Sequence, residues 1–202
     1  MAIQKTDRKE KTKNKLIKSV GKALSKYGFK GLGINKVARE AGVDKVLIYR
    51  YFGGLPELLK EYSLSIDFWP SLKEILGDDP EFVKTLKSDE QVAYFFKKFL
   101  AALRRRPITQ DILALEVLER NELTKQLEYI RIRTALEYFE HIDQIPDDKN
   151  LSAIVVLMGG AINYLIIRSR ITTSVGGIDL ESEKGWDSIN DGIDLLLKGI
   201  FD

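Results

Sequence analysis

Residues 34–59 constrain the fold of this chain more than any other stretch, because their pattern predicts two short helices, each with an apolar face, joined by a tight turn. Apolar residues three or four positions apart share one face of a helix, and the first such set is Ile34, Val37, Ala38 and Ala41. Gly42 follows, where a chain leaving a helix often takes the left-handed conformation that glycine adopts at low cost. Ile48 and Phe52 would anchor a second helix. Two short helices joined by such a turn are typical of a helix-turn-helix, whose second helix enters the DNA major groove.

The charge of the chain is divided between its two parts. Residues 1–52 hold 14 Lys and Arg against 4 Asp and Glu, a net charge of +10. Residues 53–202 hold 18 against 26, a net charge of −8. The excess of basic residues coincides with the helix-turn-helix. This favours a segment that binds a polyanion over the alternative, a basic face of the first helix that is only solvated.

The composition argues against most enzyme classes. The chain has no cysteine and one histidine, His141, so thiol nucleophiles, thiolate metal sites and clusters of imidazoles are excluded. No phosphate-binding glycine loop occurs, and the adjacent pairs Asp78-Asp79 and Asp147-Asp148 lie at turns, where Asp is common. We therefore expect no catalytic site, no metal and no cofactor.

Helical periodicity recurs along the whole chain and predicts an all-α fold of about nine helices. Besides the helix-turn-helix, we expect helices over residues 12–27, 55–76, 88–106, 108–121, 123–143, 151–167 and 186–201. Pro70 should break or kink the second of these, and Ser88 with Gln91 should form a capping box. No strand pattern is visible, and residues 1–10 read as irregular. The predicted domains are a DNA-binding domain over 1–54 and a helical ligand-binding and dimerisation domain over 55–202.

Residues 151–167 contain no charged side chain. Their length lies at the lower edge of a membrane span. A helix covered by its own domain on one side and by a second subunit on the other has the same composition. Asn163 and the pair Gly159-Gly160 favour this second interpretation. We therefore expect no membrane association and a cytoplasmic protein, since residues 1–15 do not resemble a signal peptide.

The first 60 residues resemble the DNA-binding domain of the TetR family of bacterial transcriptional regulators. The resemblance rests on Ile34, Val37-Ala38, Ala41-Gly42-Val43, Ile48-Tyr49, Tyr51-Phe52 and Glu57-Leu58-Leu59. It implies a homodimer that binds a palindromic operator in double-stranded DNA, usually as a repressor, and is released by a small molecule. A protein-interaction module that keeps the fold and has weak or no DNA binding is the alternative.

The candidate DNA-binding residues combine the resemblance with the outward phase of the second helix. They are Gly33, Asn35, Lys45, Val46, Leu47, Tyr49, Arg50 and Tyr51. Tyr49 resembles a tyrosine that contacts phosphate in the family. Lys45 and Arg50 could read guanine edges or meet phosphate only. Asp44 is better suited to capping the second helix. Several phosphate-contacting residues usual in the family are replaced here, including a Thr or Ser at Gly33 and a Lys at Leu55.

Two further sites are expected in the acidic part. Aromatic residues among helices that form the effector cavity in the family suggest a site for a small apolar effector, with Tyr62, Phe68, Trp69, Phe95 and Phe99 as its lining. The apolar surfaces of the last two helices suggest a homodimer interface. Its predicted residues are Leu157, Ala161, Leu165, Ile189, Ile193 and Leu196.

Overall fold

A computed structural model describes residues 2–141 and 150–201, with the side chains of residues 2–6 and 141 left out. The side chain of His141 and the pair Asp147-Asp148 lie outside this description. The all-α fold class is confirmed. The described residues form eleven helices, more than the nine expected, and one small antiparallel sheet that the sequence analysis missed.

The described residues form the eleven helices in the following order along the chain. Their bounds are α1 Ala2–Gly31, α2 Ile34–Ala41, α3 Val46–Phe52, α4 Leu55–Ser63, α5 Leu72–Leu76, α6 Pro80–Thr85, α7 Ser88–Arg104, α8 Pro107–Glu116, α9 Glu122–His141, α10 Leu151–Arg168 and α11 Glu183–Phe201. The two strands, β1 Ser174–Val175 and β2 Ile178–Asp179, form a hairpin before α11.

Three differences from the predicted helices have local causes. Helix α1 begins at Ala2, so residues 2–10 are helical and not the irregular arm that was expected. The predicted helix over 55–76 is two helices, because α4 ends at Ser63 and α5 begins only after Pro70. Helix α7 has Lys87 as its N-cap, one residue before the expected Ser88, and the backbone N–H of Lys87 donates to Glu90 Oε2 at 3.0 Å; a lysine side chain cannot accept the second hydrogen bond of a capping box.

The chain forms two compact units. The first comprises residues 1–69 and 111–131, and the second comprises residues 70–110 and 132–202. The turn between α8 and α9 therefore belongs to the same unit as the helix-turn-helix. The predicted boundary between a DNA-binding domain and a ligand-binding and dimerisation domain, at residues 54 and 55, is a division by function and stays a prediction.

The first unit has its core where α1 crosses the helix-turn-helix and α4. The apolar stripe of α1 is fully buried at Leu16, Val20, Ala23 and Leu24. Gly42 takes φ 59° and ψ 41°, and its N–H donates to the Arg39 carbonyl at 3.0 Å. Because this left-handed conformation costs glycine little, α2 ends there and the chain turns into α3 as predicted.

The second unit is organised around α7, against which α5, α10 and α11 pack. Three phenylalanines of α7, at positions 95, 96 and 99, are buried. The hairpin lies so close to the first turn of α11 that a Cβ on Gly185 would overlap the carbonyl oxygen of Asp179. Trp186 stabilises this junction, since its indole N–H donates to the Leu180 carbonyl at 2.9 Å.

Candidate functional site

Helix α3 presents the most exposed polar face of the helix-turn-helix. Ile48 is fully buried and sets the phase of the helix, which leaves Val46 and Tyr49 60% and 55% exposed. Lys45 and Arg50 are also exposed, and within the described residues neither has a carboxylate at ion-pair distance. Unpaired cations on an exposed helix of this kind are available to an anionic partner.

Leu47 and Tyr51, at the edges of this face, are half-buried. The ammonium group of Lys9 lies 5.9 Å from the centroid of the Tyr51 ring, a cation–π contact that brings the start of α1 to α3. This contact between distant positions was not visible in the sequence. Asp44 accepts a hydrogen bond from the Val46 N–H at 2.8 Å, so its carboxylate holds the start of α3 as expected.

The start of α2 lacks a side-chain cap. Gly33 occupies the capping position with extended backbone, and its carbonyl accepts from Lys36 and Val37. Asn35, in the first turn, is exposed, and Gly33 itself is half-buried. The uncapped N–H groups at a helix start favour an anion such as a phosphate.

A polar network fixes α2 against α1. The Tyr27 hydroxyl donates to Glu40 Oε1 at 2.6 Å and accepts from Arg39 at 2.9 Å. The Lys26 ammonium lies 3.1 Å from the same Glu40 oxygen. The hydrogen bonds from Tyr27 and Lys26 hold the pKa of Glu40 below its ordinary value. This network restricts the angle at which the helix-turn-helix sits on α1.

Residues 22–62, which contain α2, α3 and the network of Tyr27, match the family model described as bacterial regulatory proteins of the tetR family. Over these residues the chain is similar to the tetR family of bacterial regulatory proteins. Among curated proteins, none is significantly similar in sequence. The family match confirms the resemblance on which the helix-turn-helix was assigned.

Solved structures with a similar fold include several transcriptional regulators. The fatty acid degradation regulator FadR from Bacillus halodurans aligns with a TM-score of 0.62 at 13% identity over 91% of this chain and 96% of its own. The transcriptional regulator FadR from Bacillus subtilis, solved in complex with stearoyl-CoA, aligns with the same TM-score and the same coverage at 17% identity. A TetR-family member from Streptomyces coelicolor A3 aligns with a TM-score of 0.57 at 18% identity over 90% of this chain and 88% of its own. At these identities the likeness establishes the fold alone.

Of the five aromatic residues expected around an effector, three belong to the first unit and two to the second. Tyr62, Phe68 and Trp69 pack together in the first unit, with ring centroids 5.5 and 5.9 Å apart. Phe95 and Phe99 stack in the second unit with centroids 5.8 Å apart. All five are buried, and none lines either of the two surface clefts described, of about 420 and 280 Å³. An effector at these residues would have to part packed rings.

The residues predicted for the dimer interface differ in exposure. Leu157 and Leu196 are 72% and 59% exposed, and Ala161 is also exposed. Leu165 and Ile189 are half-buried. Ile193 is 4% exposed and belongs to the core of its own unit, so it is not accessible to a second subunit. The sequence could not show that Ile193 is buried and Leu196 exposed, because both lie on the apolar stripe of α11.

Helix α10 is the one helix in the described part of the chain that is long and apolar enough to cross a membrane. It buries Ile154, Ile162 and Ile166 and leaves Val156, Leu157 and Tyr164 more than half exposed. The exposed residues lie on the side opposite the buried ones. One apolar face of α10 is thus covered by the chain itself, and the other is exposed.

A buried acidic group lies at the end of α8. The side chain of Glu116 is 8% exposed, and its Oε2 lies 2.6 Å from Nη1 of Arg131. Glu116 and Arg131 thus form an ion pair that is largely buried. Burial raises the pKa of Glu116 to about 7, and the Arg131 charge opposes the rise.

This raised pKa predicts a dependence of stability on pH. The unfolded carboxyl ionises near its ordinary value of 4.5, whereas the folded one holds its proton to about pH 7. The resulting stabilisation, on the order of 1–3 kcal/mol, is complete below pH 4.5 and is lost as the pH rises through 7. The Glu116→Gln variant should therefore lose less unfolding free energy than the wild type between pH 5 and pH 8, measured by urea unfolding.

Glu122→Gln is the control for this measurement, because Glu122 is an exposed carboxylate at the start of α9. Its pH dependence should equal that of the wild type. An identical pH dependence in wild type and Glu116→Gln would contradict a raised pKa at Glu116.

Proposed function

We propose that the chain is a homodimeric repressor that binds a palindromic operator through α3 and is released from it by a small apolar effector. The observation that supports this proposal best is the exposed, unpaired pair Lys45 and Arg50 on α3, within the segment that matches the family. The net charge of +10 over residues 1–52 adds attraction to the DNA backbone. A cytoplasmic location follows from this role.

Phosphate contacts in this proposal come from the backbone and from α1. The uncapped start of α2 at Gly33 and Asn35 would hold a phosphate, with Tyr49 donating to a neighbouring one. Lys9, beside Tyr51, replaces some of the side-chain contacts that are usual in the family. Val46 and Leu47 would pack on thymine methyl groups.

The test of the function is a mobility shift with the DNA flanking the gene of the protein. A strong, salt-sensitive and sequence-dependent shift supports the proposal, because phosphate contacts release counterions and base contacts discriminate sequences. A folded dimer that shifts no DNA would favour the alternative of a protein-interaction module.

Arg50→Ala is expected to reduce operator affinity by roughly 1–3 kcal/mol and to relax the preference at one position of each half-site if Arg50 reads a base. Arg50→Lys is the matched control, since it keeps the charge and loses the bidentate fork that recognises guanine. Binding measured against operators with single base changes separates the two roles. If Arg50→Ala lowers the affinity equally for all DNA sequences and Arg50→Lys restores it, Arg50 is a phosphate contact. If Arg50→Ala does not lower the affinity, Arg50 does not contact the operator.

The proposed effector enters the aromatic cluster of the second unit. Phe95 packs on Phe99, Tyr138 and Phe139 with ring centroids 4.7–5.8 Å apart, so a ligand that parts these rings would be enclosed by apolar surface. Because one similar structure holds stearoyl-CoA, long-chain acyl compounds are reasonable first probes. Release from DNA requires that the ligand bind the DNA-incompetent state more tightly.

Stearoyl-CoA is expected to weaken operator binding by about 5–150-fold, the usual range of a coupling free energy of 1–3 kcal/mol. Phe99→Ala should change the affinity for the acyl compound while leaving DNA affinity in its absence intact. Fluorescence anisotropy of labelled operator follows the release, and calorimetry follows ligand binding. Binding of the compound without any change in operator affinity would contradict the coupling.

A further inference from the structure

Gln91, near the start of α7, is buried with one hydrogen-bonding atom unused. The residue is 1% exposed, and its amide N–H donates to the Leu86 carbonyl at 3.0 Å. The amide oxygen Oε1 has no hydrogen-bond donor among the described residues. The opposite orientation of the amide would place Oε1 against the Leu86 carbonyl oxygen, so it would not satisfy Gln91 either. Buried acceptors without donors are rare in folded proteins, because they have lost their hydrogen bonds to water.

The hydroxyl of Tyr138 reaches Gln91 but is already used. It donates to the backbone carbonyl of Gln91 at 2.8 Å. A hydroxyl has one proton to donate, and burial raises the pKa of Tyr138, so this proton stays on the ring oxygen. The hydroxyl therefore serves the backbone carbonyl of Gln91 and leaves the side-chain oxygen without a donor.

Gln91 adjoins the aromatic cluster of the second unit. Phe95 follows one helical turn later in α7, so the two residues share one side of the helix. The Phe95 ring lies 4.7 Å from the ring of Tyr138 and 5.8 Å from that of Phe99, measured between centroids. Gln91 thus adds an amide oxygen at the edge of a cluster that otherwise offers a ligand mainly aromatic surface.

An amide oxygen among aromatic rings selects one kind of polar group. It accepts a hydrogen bond from an O–H or N–H, whereas a carboxylate or an ether offers only acceptors and cannot pair with it. A charged head group buried among the rings would also lose its hydration without gaining a counter-charge. A neutral hydroxyl or amide N–H meets both conditions.

We propose that Gln91 determines the class of effector: a neutral compound whose apolar chain parts the rings around Phe95 and whose hydroxyl or amide N–H donates to Gln91 Oε1. This inference rests on the proposed function, since it uses the same aromatic cluster. It adds the chemical group that the effector must carry and the residue that selects it. An acyl-CoA fits the class, because coenzyme A contains neutral amide N–H groups, whereas an ionised fatty acid does not.

Three probes of similar size separate the donor from apolar attraction: 1-octanol, its isomer 1-methoxyheptane and octanoate, titrated into the full-length protein by calorimetry at pH 8. Octanol is expected to bind at least about tenfold more tightly than the ether, because only the alcohol can donate to a buried acceptor. Octanoate should bind more weakly than octanol. Equal affinities for the alcohol and the ether, or tightest binding of octanoate, would overturn the proposal.

Variants locate the hydrogen bond. Gln91→Met keeps the length of the side chain and removes the amide, so octanol should weaken about tenfold, to the level of the ether. Gln110→Met is the matched control, since Gln110 is also buried and its amide N–H groups donate to the Leu103 and Arg104 carbonyls. It should keep the wild-type preference for octanol. An unchanged preference in Gln91→Met, or an equal loss in Gln110→Met, would overturn the proposal.

A measurement on the wild type covers the case in which circular dichroism shows Gln91→Met to be unfolded. The carbon-13 resonance of the Gln91 side-chain carbonyl should shift when octanol is added and stay in place with 1-methoxyheptane. The same position of this resonance with both compounds would contradict the proposed hydrogen bond.

Phe99→Ala separates this inference from the proposed function. Octanol and ether that bind equally, and are both weakened by Phe99→Ala, would leave the effector site in place and overturn the role of Gln91. Octanol that does not bind, or binds Phe99→Ala as tightly as the wild type, would overturn both. Binding that depends on Gln91 without any change in operator affinity would support the inference and contradict the proposed release from DNA.

Discussion

Replacing Ala161 by arginine is expected to turn the protein into a folded monomer with at least about a hundredfold weaker operator binding. Ala161 lies on the exposed side of α10 with Leu157 and Tyr164, and Leu196 of α11 is also exposed. An exposed apolar surface of this extent is typical of an interface. An unpaired guanidinium group buried there would disfavour association by several kcal/mol.

Loss of the dimer reduces DNA binding for a geometric reason. Two recognition helices must lie about one DNA turn, roughly 34 Å, apart to enter successive major grooves. A monomer keeps the contacts of one half-site and loses the high effective concentration of the second. The measurement is sedimentation velocity combined with operator titration.

Leu196→Arg should behave like Ala161→Arg, whereas Ser188→Arg adds the same side chain at an exposed position of α11 outside the predicted interface. Circular dichroism checks that each variant is folded. Dimers of unchanged strength in Ala161→Arg and Leu196→Arg would place the interface elsewhere. Ile193→Arg is not a suitable test, because it would put a charge in the core of a single subunit.

Gly185→Ala is expected to lower the free energy of unfolding by at least about 3 kcal/mol, comparable to a severe core substitution. The added methyl group would occupy the position of the Asp179 carbonyl oxygen, and backbone on both sides of the contact must move. The contact joins the hairpin to the first turn of α11, and Trp186 is held there by its bond to Leu180. The whole junction should loosen.

Gly192→Ala is the matched control, since it adds the same methyl group to the same helix where no atom lies within 4 Å. Its stability should be unchanged or higher by up to about 1 kcal/mol, because alanine has the greater helix propensity. Urea unfolding at fixed protein concentration measures both variants. Equal stabilities for Gly185→Ala and wild type would mean that the hairpin moves away at little cost.

Features that depend on neighbours in the sequence were predictable. The helix-turn-helix follows from the spacing of Ile34, Val37, Ile48 and Phe52 and from the left-handed turn at Gly42. Each of these features is set within a few residues, by helical periodicity and by the backbone freedom of glycine. The break at Pro70 and the all-α class have the same local origin.

Features that depend on distant residues were decided by the tertiary structure alone. Ile193 and Leu196 carry the same apolar signal, yet α7 covers one and leaves the other in solvent. Of the five aromatic residues expected around one effector, three belong to the first unit and two to the second, because compact units need not follow chain order. Glu116 meets Arg131 across a turn, and the resulting burial of a carboxylate changes its pKa. Periodicity tells which side of a helix is apolar, whereas only packing tells what covers that side.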